Sequence, residues 1–353
     1  MDKVRLASVG LGRWAAVLAR GAQRGGVIEL VSCFSRSEDK RKAFCEEFNV
    51  RRSASSYDEL LADPEVEGIL VTTPNHTHKT IISAALDAGK AVYTDKPIAH
   101  TLEDALAIAD AAAASGQAFA VGHSARRLAG HRAMKTWLQS GRLGDISIAE
   151  ANFSNERGLE LTPTVWRASA ARNPGGALIQ LGVHHADTLQ YLLGPVRSVS
   201  ATIRRLYTKS EVPDATMTIL EFEAGMLGYL GCGWASPGVY SMNLLGTKAN
   251  LFYNLDFTRW NESHVADKHS SLQSQSYGES ERNEVELPGS DMFREQLEEF
   301  ALAIRGTAEV EVGITEAVAA LAVVHAALES SARSGAAVAI AEVIEGARTA
   351  SPA

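Results

Sequence analysis

Short apolar runs alternate with helical patterns along the first 125 residues. The runs are bounded by turn residues and predict strands over residues 4–9, 29–34, 68–73, 91–94 and 118–122. Helical spacing of apolar positions predicts helices over residues 14–24, 38–48, 57–62, 80–88 and 102–115. Strands that alternate with helices in this way form a parallel sheet covered on both faces, so an α/β domain is expected here.

The pattern changes after about residue 150. Strands are predicted over residues 146–154, 196–206, 215–222, 226–234, 241–245 and 250–254, most of them joined by short turns. Helices are predicted over residues 177–193, 292–305 and 315–334. We therefore expect two domains, residues 1–125 and 126–353, the second an α+β domain with a largely antiparallel open sheet. Whether the C-terminal helix returns to the first domain stays open.

One long segment lacks any apolar periodicity. Residues 261–283 are rich in Ser, Gln, Glu and His, which predicts a surface loop or a disordered excursion. A loop that reaches over a substrate or a neighbouring subunit is the alternative.

The composition indicates a folded and soluble protein. A length of 353 residues suits about two domains, and 46% hydrophobic with 22% charged residues excludes a mostly disordered chain. The formal charge of −8 argues against nucleic acid or an acidic membrane surface as the main partner. Three scattered cysteines favour reduced thiols, and we find neither a secretion signal nor a run of ~20 apolar residues. A cytoplasmic location is expected.

A glycine motif joins the first predicted strand to the first predicted helix. The motif has the form G-x-G-x-x-A and consists of Gly10, Leu11, Gly12, Arg13, Trp14 and Ala15. Gly10 permits a tight turn, Gly12 lets the backbone approach a pyrophosphate, and Ala15 lets the helix pack closely on the strand. The unpaired N–H groups at the helix N-terminus would then bind the phosphates. The first domain is therefore predicted to be a Rossmann-type dinucleotide-binding domain.

The end of the second predicted strand bears on the choice of dinucleotide. Sites that prefer NAD usually place Asp or Glu there to bond the ribose 2′-hydroxyl, but this chain has Ser35 followed by Arg36. Arg13, Lys40 and Arg41 add positive charge, although Glu38 or Asp39 could still reach the ribose. NADP is therefore favoured over NAD.

Two further motifs follow predicted strands, T-T-P-N-H-T-H at residues 72–78 and D-K-P at residues 95–97. Together with the glycine motif they resemble the Gfo/Idh/MocA family, named after glucose–fructose oxidoreductase, inositol dehydrogenase and a rhizopine-catabolism protein. The resemblance extends through residues 122–126, 166–167, 175–187 and 300–305, and so covers most of the chain.

The resemblance implies a set of site residues. The implied cofactor-binding residues are Gly10, Leu11, Gly12, Arg13, Trp14, Ser35, Arg36, Lys40, Thr73, Pro74, Asn75, His78, Asp95, Lys96, His123, Trp166 and Arg167. The implied substrate-binding residues are Lys96, Arg126, Trp166, Gln180 and His184. The resemblance also implies a homo-oligomer, a dimer or tetramer assembled through the sheet of the second domain.

The chain departs from the family pattern at two positions. Asp95 stands where the family usually has Glu. Asp is the shorter of the two acids, but Asp95 could still contact the cofactor ribose or orient Lys96. Gln180 stands where many members carry Asp, four residues before the catalytic His184. Glutamine can hydrogen-bond a substrate hydroxyl but cannot take its proton, so that proton must move differently here.

The proton-transfer roles are weighed between Lys96 and His184. The resemblance places Lys96 first, but a free lysine titrates near ~10.4 and a useful base needs roughly 7–8, a gap of ~4 kcal/mol. A histidine begins near ~6.5 and needs no such shift. We name Lys96 as the principal acid or base and His184 as its partner. Asp187 and His185 are predicted to be structural or supporting groups.

A metal site is the less favoured interpretation of the histidines. His76, His78, His123, His184, His185 and Asp187 could be imagined around zinc, but His76 and His78 lie in a predicted loop with no cysteine nearby. We therefore predict no metal.

The predicted function is that of an NAD(P)-dependent oxidoreductase. Hydride would pass between the nicotinamide and a secondary alcohol or ketone of a sugar, an inositol or a related cyclic polyol. A cis-dihydrodiol dehydrogenase of aromatic catabolism is the nearest alternative. A non-catalytic regulator that senses the dinucleotide is an alternative of a different class.

Overall fold

The structure is a computed structural model that describes residues 2–350. These residues form two compact units. The first contains residues 2–99, 104–124 and 292–318, and the second contains residues 100–103, 125–291 and 319–350.

The first unit is built on a six-stranded sheet whose strands are all parallel, in the order β3-β2-β1-β4-β5-β6. Its strands are β1 (Val4–Val9), β2 (Ile28–Phe34), β3 (Arg52–Ser53), β4 (Gly68–Val71), β5 (Ala91–Thr94) and β6 (Phe119–Val121). The helices that connect them are α1 (Arg13–Gly25), α2 (Glu38–Phe48), α3 (Tyr57–Ala62), α4 (His78–Asp87) and α5 (Leu102–Ser115). The Rossmann-type prediction is confirmed.

Local sequence explains where these elements begin. The strands β4 and β5 are buried along their whole length, as expected for central strands covered on both faces. Ser37 and Ser56 cap α2 and α3 by accepting hydrogen bonds from the N–H groups of Lys40 and Glu59. The Glu59 carboxylate reaches back to the Ser55 N–H at 2.8 Å, so each partner satisfies donors that the helix leaves unpaired.

The second unit contains a nine-stranded sheet in the order β14-β13-β12-β11-β7-β10-β9-β8-β15. Its strands are β7 (Ile146–Ser154), β8 (Val196–Arg204), β9 (Ala215–Phe222), β10 (Leu227–Gly233), β11 (Val239–Gly246), β12 (Ala249–Leu255), β13 (Ser270–Ser276), β14 (Asn283–Glu284) and β15 (Val338–Ala339). All neighbours are antiparallel except β7 and β10, which confirms a largely antiparallel sheet. The helices α6 (Ala129–Gln139), α7 (Val183–Leu193) and α8 (Ser263–Ala266) belong to the same unit.

The prediction of a loop or disordered excursion over residues 261–283 is wrong. The segment contains α8 and the strand β13, which pairs with β12 over seven residues. Its sequence, SSLQSQS, places only Leu272 and Ser274 in buried positions, so no apolar alternation marks it. Main-chain pairing with β12 holds the strand, and side-chain patterning cannot report that pairing.

The chain then forms three further helices, α9 (Met292–Ile304), α10 (Ile314–Ala332) and α11 (Ile340–Ala350). In the first unit α9 packs on α1, with the Trp14 and Phe293 rings edge to face at 5.1 Å between centroids. Among residues 2–350, α10 is the one helix long and apolar enough to span a membrane by length and composition alone, and half of its most apolar window is buried inside the protein.

Candidate active site

The predicted cofactor residues of the first unit follow the carboxyl ends of its parallel strands. Gly10 follows β1, Ser35 follows β2, Thr73 lies just beyond β4, and Asp95 follows β5. Because all these strands run in the same direction, the residues lie along one edge of the sheet. The strand order reverses between β1 and β4, which is the position where open α/β sheets bind their ligands.

The glycine motif is shaped for close approach. Gly10 has a φ of 89°, a backbone conformation that residues with a side chain rarely adopt. A Cβ at this position would also lie only 2.7 Å from Thr73 Cγ2, so both the backbone and the available space require glycine. Above Gly12 there is open space, since a Cβ there would have no heavy atom within 4 Å. Gly12 caps α1 without a side-chain hydrogen bond, which leaves the first N–H groups of α1 to a ligand.

Two buried polar atoms near this motif also fit a bound dinucleotide. Within residues 2–350, Trp14 Nε1 and Asn75 Nδ2 are buried and find no hydrogen-bond partner in the protein. Buried donors are usually satisfied, so a donor without a partner at a ligand-binding edge indicates that a ligand supplies the acceptor. The residues present therefore fit an NAD(P) molecule.

The segment after β2 is held in place by its own side chains. Arg41 Nη1 donates to the Ser35 main-chain oxygen at 2.7 Å, and Ser35 Oγ accepts from the Ser37 N–H at 3.3 Å. Arg36 and Lys40 are exposed, whereas Arg41 is half-buried. Arg41 thus fixes the backbone of this segment, while Arg36 and Lys40 remain in contact with solvent.

His78 joins the two loops that follow β4 and β5. Its Nε2 lies 3.0 Å from the Thr73 main-chain oxygen, and its Nδ1 lies 3.1 Å from that of Pro97. The ring is fully buried, so His78 holds Lys96 and the Thr73 turn in a fixed mutual position. His78 therefore supports the loops that carry Thr73 and Lys96, and its contact with the cofactor stays a prediction.

In the second unit, His184 lies among aromatic side chains. Its ring centroid lies 5.2 Å from that of Trp260, edge to face, and 5.6 Å from that of Phe153. Only 3% of His184 is exposed. These contacts fix the imidazole plane on α7. Sequence reasoning missed Phe153 and Trp260, because only the fold brings β7 and the segment after β12 to α7.

His185 faces a different part of the same aromatic cluster. Its ring lies 4.6 Å from that of Tyr240, and its Nε2 lies 3.2 Å from the Asn152 main-chain oxygen. Burial lowers the pKa of His185 to about 3, and burial likewise lowers the pKa of His131 to about 4. Both imidazoles are therefore neutral at physiological pH and serve the core.

Arg126 and Asp187 form a buried ion pair. Arg126 Nε and Nη2 donate to the two Asp187 carboxylate oxygens at 2.8 and 2.7 Å, a bidentate arrangement. The guanidinium also lies over the Tyr191 ring at 5.2 Å. Arg126, which is predicted to bind substrate, thus also bonds Asp187 on α7.

Gln180 lies in a π-helical turn, Leu178–Gly182, that runs directly into α7. Such turns often occur at functional sites because the extra residue shifts one side chain out of the regular helical register. Gln180 is buried and accepts a hydrogen bond from Arg167 Nε at 3.2 Å, and the Arg167 guanidinium lies over the Trp166 ring at 4.4 Å. The predicted residues Trp166, Arg167 and Gln180 are therefore neighbours.

No set of three His, Cys, Asp or Glu side chains within residues 2–350 lies close enough to hold a metal ion. His184 and His185 are adjacent in sequence, but their rings point to different partners, Trp260 and Tyr240.

Comparison with known proteins places the chain among oxidoreductases. Residues 4–123 match the family described as an oxidoreductase family with an NAD-binding Rossmann fold, and residues 131–252 match the Gfo/Idh/MocA C-terminal domain. The chain is 30% identical over 339 residues to 1,5-anhydro-D-fructose reductase of Ensifer adhaerens, which covers 91% of this chain and 98% of the relative. It is 28% identical over 222 residues to trans-1,2-dihydrobenzene-1,2-diol dehydrogenase of Bos taurus, 62% of this chain and 64% of the relative.

A solved structure is similar over nearly the whole length. A putative NADPH-dependent oxidoreductase from Desulfitobacterium hafniense has a TM-score of 0.94 and 42% identity, and the match covers 98% of this chain and 99% of the other. These relatives are named as oxidoreductases, so the regulator alternative loses its support. The matches agree with the dinucleotide cradle after β1, and this chain belongs to the Gfo/Idh/MocA family of NAD-binding oxidoreductases.

Proposed function

We propose that this enzyme transfers hydride between a nicotinamide dinucleotide and a secondary alcohol or ketone of a sugar, an inositol or a related cyclic polyol. The observation that carries the proposal is the similarity to 1,5-anhydro-D-fructose reductase, which extends over 98% of that relative. In support, Lys96 lies two residues after β5 at the ligand-binding edge of the sheet, and His184 is buried in an aromatic setting on α7.

The bound nicotinamide supplies the hydride chemistry, and the side chains of the chain manage the proton. Lys96 donates a proton to the carbonyl oxygen during reduction and, as the neutral amine, takes one from the hydroxyl during oxidation. His184 is the second proton-handling group, and Phe153 and Trp260 prevent its ring from rotating. Gln180 and Trp166 orient the substrate ring by hydrogen bonding and stacking.

The test is steady-state kinetics of Lys96→Met, with cofactor affinity measured separately by fluorescence titration. We expect kcat to fall by about 10²–10⁴-fold, the usual contribution of a positioned acid or base. Lys79→Met is the matched control, because Lys79 lies on α4 and pairs with Asp104 at 3.1 Å. A Lys96→Met enzyme with wild-type kcat and unchanged cofactor affinity would remove Lys96 from the chemistry.

The substrate itself is found by a cofactor-reduction and cofactor-oxidation screen with NAD and NADP in parallel. The panel contains sugars, anhydro sugars, inositols and dihydrodiols. The second candidate function, a dihydrodiol dehydrogenase, has specific support in the similarity to the bovine enzyme over 222 residues, which is named for the trans diol rather than for the cis diol that the sequence analysis considered. Turnover of a dihydrodiol with no turnover of any sugar or inositol decides for this second candidate.

We further propose NADP as the preferred cofactor, since Ser35 and Arg36 replace the usual acidic residue and one solved relative is described as NADPH-dependent. The enzyme is proposed to work in the cytoplasm as a dimer or tetramer, with no nucleic acid or membrane partner, consistent with its net charge of −8.

A further inference from the structure

In the second unit, three hydrogen bonds join Gln180, Asn173 and Arg167 in a closed ring. Arg167 Nε donates to Gln180 Oε1 at 3.2 Å, and Gln180 Nε2 donates to Asn173 Oδ1 at 2.8 Å. Asn173 Nδ2 closes the ring by donating to the Arg167 main-chain oxygen at 2.8 Å. Asn173 therefore contacts both of the other residues of the ring.

The chemistry of the donors and acceptors permits only one orientation of the two amides. Arg167 Nε can only donate, so the oxygen of the Gln180 amide must face it. The Gln180 nitrogen then faces Asn173 and requires an acceptor, which is the Asn173 oxygen. The Asn173 nitrogen is left facing the Arg167 carbonyl, which can only accept. Reversal of either amide would oppose two donors or two acceptors.

The main chain holds Asn173 where it can impose this orientation. Asn173 is fully buried, its N–H donates to the Ser169 oxygen at 2.9 Å, and its carbonyl accepts from the Gly176 N–H at 3.2 Å. Gly176 has a φ of 53°, and a Cβ there would lie 2.2 Å from the Pro213 oxygen. The turn is thus tightly packed against its neighbours, and the Asn173 amide has little freedom to move.

We propose that Asn173 is a positioning residue that sets the orientation of Gln180 and thereby the affinity for substrate, an inference that rests on the proposed function. Gln180 and Asn173 form a matched pair. A carboxylate at position 180 would present only oxygens, so Asn173 would have to turn its nitrogen toward it and lose the bond to Arg167. The pair keeps the side chain at position 180 neutral. It also fixes which side of the Gln180 amide, Nε2 or Oε1, donates to a substrate hydroxyl and which side accepts from it.

The experiment compares two variants whose side chains share the branched shape and the number of non-hydrogen atoms of asparagine, Asn173→Leu and Asn173→Asp. Both lose the donor to the Arg167 carbonyl, but Asp keeps an acceptor oxygen for Gln180 Nε2 and Leu does not. With the fastest substrate of the panel, we expect Asn173→Leu to raise KM about tenfold, with the cofactor Kd changed less than about twofold, the size expected for one buried hydrogen bond. Asn173→Asp is expected to raise KM less than Asn173→Leu does, because it keeps this acceptor, although its second oxygen then faces the Arg167 carbonyl oxygen.

A double-mutant cycle separates positioning from a general loss of stability. In a Gln180→Ala background the effect of Asn173→Leu on KM is expected to vanish, because no amide remains to be oriented. Equal KM values for the Leu and Asp variants, or an undiminished effect of Asn173→Leu in the Gln180→Ala background, overturn the inference.

A second measurement needs no turnover. Selective ¹⁵N labelling of glutamine resolves the side-chain amide of Gln180, identified by its absence in Gln180→Ala. We expect this resonance to move less in Asn173→Asp than in Asn173→Leu, because only the Asp variant keeps an acceptor for Gln180 Nε2. If wild type turns over no compound in the panel, the proposed function fails, and the Gln180 resonance alone decides: an unmoved resonance in Asn173→Leu overturns the role of Asn173, and the expected movement supports it.

Discussion

Ser35 and Arg36 follow β2, where a dinucleotide places its adenosine ribose. The Arg41 guanidinium holds the Ser35 main-chain oxygen at 2.7 Å, so a new side chain at position 35 would be presented from an unchanged backbone. Arg36 is exposed and can turn toward a 2′-phosphate without first leaving a buried partner.

We expect Ser35→Asp to lower the ratio of kcat/KM for NADP to that for NAD by at least about tenfold. The new carboxylate accepts a hydrogen bond from a 2′-hydroxyl and repels a 2′-phosphate. Arg36→Ala should lower the same ratio through a weaker Kd for NADPH, measured by fluorescence titration. Arg51→Ala is the control, since Arg51 is bound to Glu29 at 3.2 Å. An unchanged ratio in both Ser35→Asp and Arg36→Ala would assign the 2′-phosphate to other residues.

His185 gives the stability of the protein a specific dependence on pH. Its pKa is lowered to about 3 in the folded state by burial, whereas an unfolded histidine titrates near ~6.5. Below pH ~6.5 the unfolded chain therefore binds a proton that the folded chain does not, so stability falls as pH falls. Between pH 6.5 and 5 one such group costs ~2 kcal/mol of unfolding free energy.

The measurement is urea unfolding of wild type and His185→Phe at several pH values from 5 to 7.5. We expect the variant to lose stability less steeply below pH 6.5, whatever its absolute stability. His264→Phe, at an exposed position on α8, should follow the wild-type slope. Parallel curves for wild type and His185→Phe would mean that His185 is not neutral and buried in the fold.

At the scale of elements, the sequence predicts best where a single element supplies its own signal. The predicted bounds of α2, α3, α5, β7 and β9 match the structure, because apolar periodicity, caps and turn residues mark both ends. The strand β13 was missed, because its stability comes from a neighbour rather than from its own polar residues. The π-helical turn before α7 was predicted as ordinary helix, since one added residue leaves the local pattern nearly unchanged.

The residues of the candidate site also divide into those that a local sequence signal marks and those that depend on distant partners. The glycine motif, Thr73 and Lys96 were predictable, because each begins within two residues of the end of a strand whose direction the alternation of elements had already indicated. Phe153, Trp260 and Asn173 were not, although they fix His184 and Gln180. Their partners are distant in sequence or lie across a turn of unusual geometry, and no spacing rule links them.

At the scale of the whole molecule, the nine-stranded sheet leaves an apolar face in contact with solvent. Its exposed side chains come from four adjacent strands, β11, β7, β10 and β9. They include Val239, Ile148, Leu227, Ile219 and Met217, of which Met217 is 63% and Ile219 is 57% exposed. Ile148 and Leu227 are direct neighbours across the β7–β10 ladder. Monomeric proteins rarely expose such patches, which supports assembly through this face.

We expect the double substitution Met217→Glu and Ile219→Glu to convert the proposed oligomer to monomers, measured by light scattering coupled to size-exclusion chromatography. Both side chains lie on the exposed face of β9, so the charges leave the buried face of the sheet intact but would be trapped without partners at an interface. Val27→Glu is the matched control, an exposed apolar residue of the first unit that is 38% exposed. It adds one charge at a residue that is not part of the nine-stranded sheet and should leave the assembly unchanged. The far-ultraviolet circular dichroism of the double variant should match wild type, because both substituted side chains are largely exposed. A double variant of wild-type size would place the subunit contact elsewhere, and a wild-type protein that is already monomeric would refute assembly through the sheet.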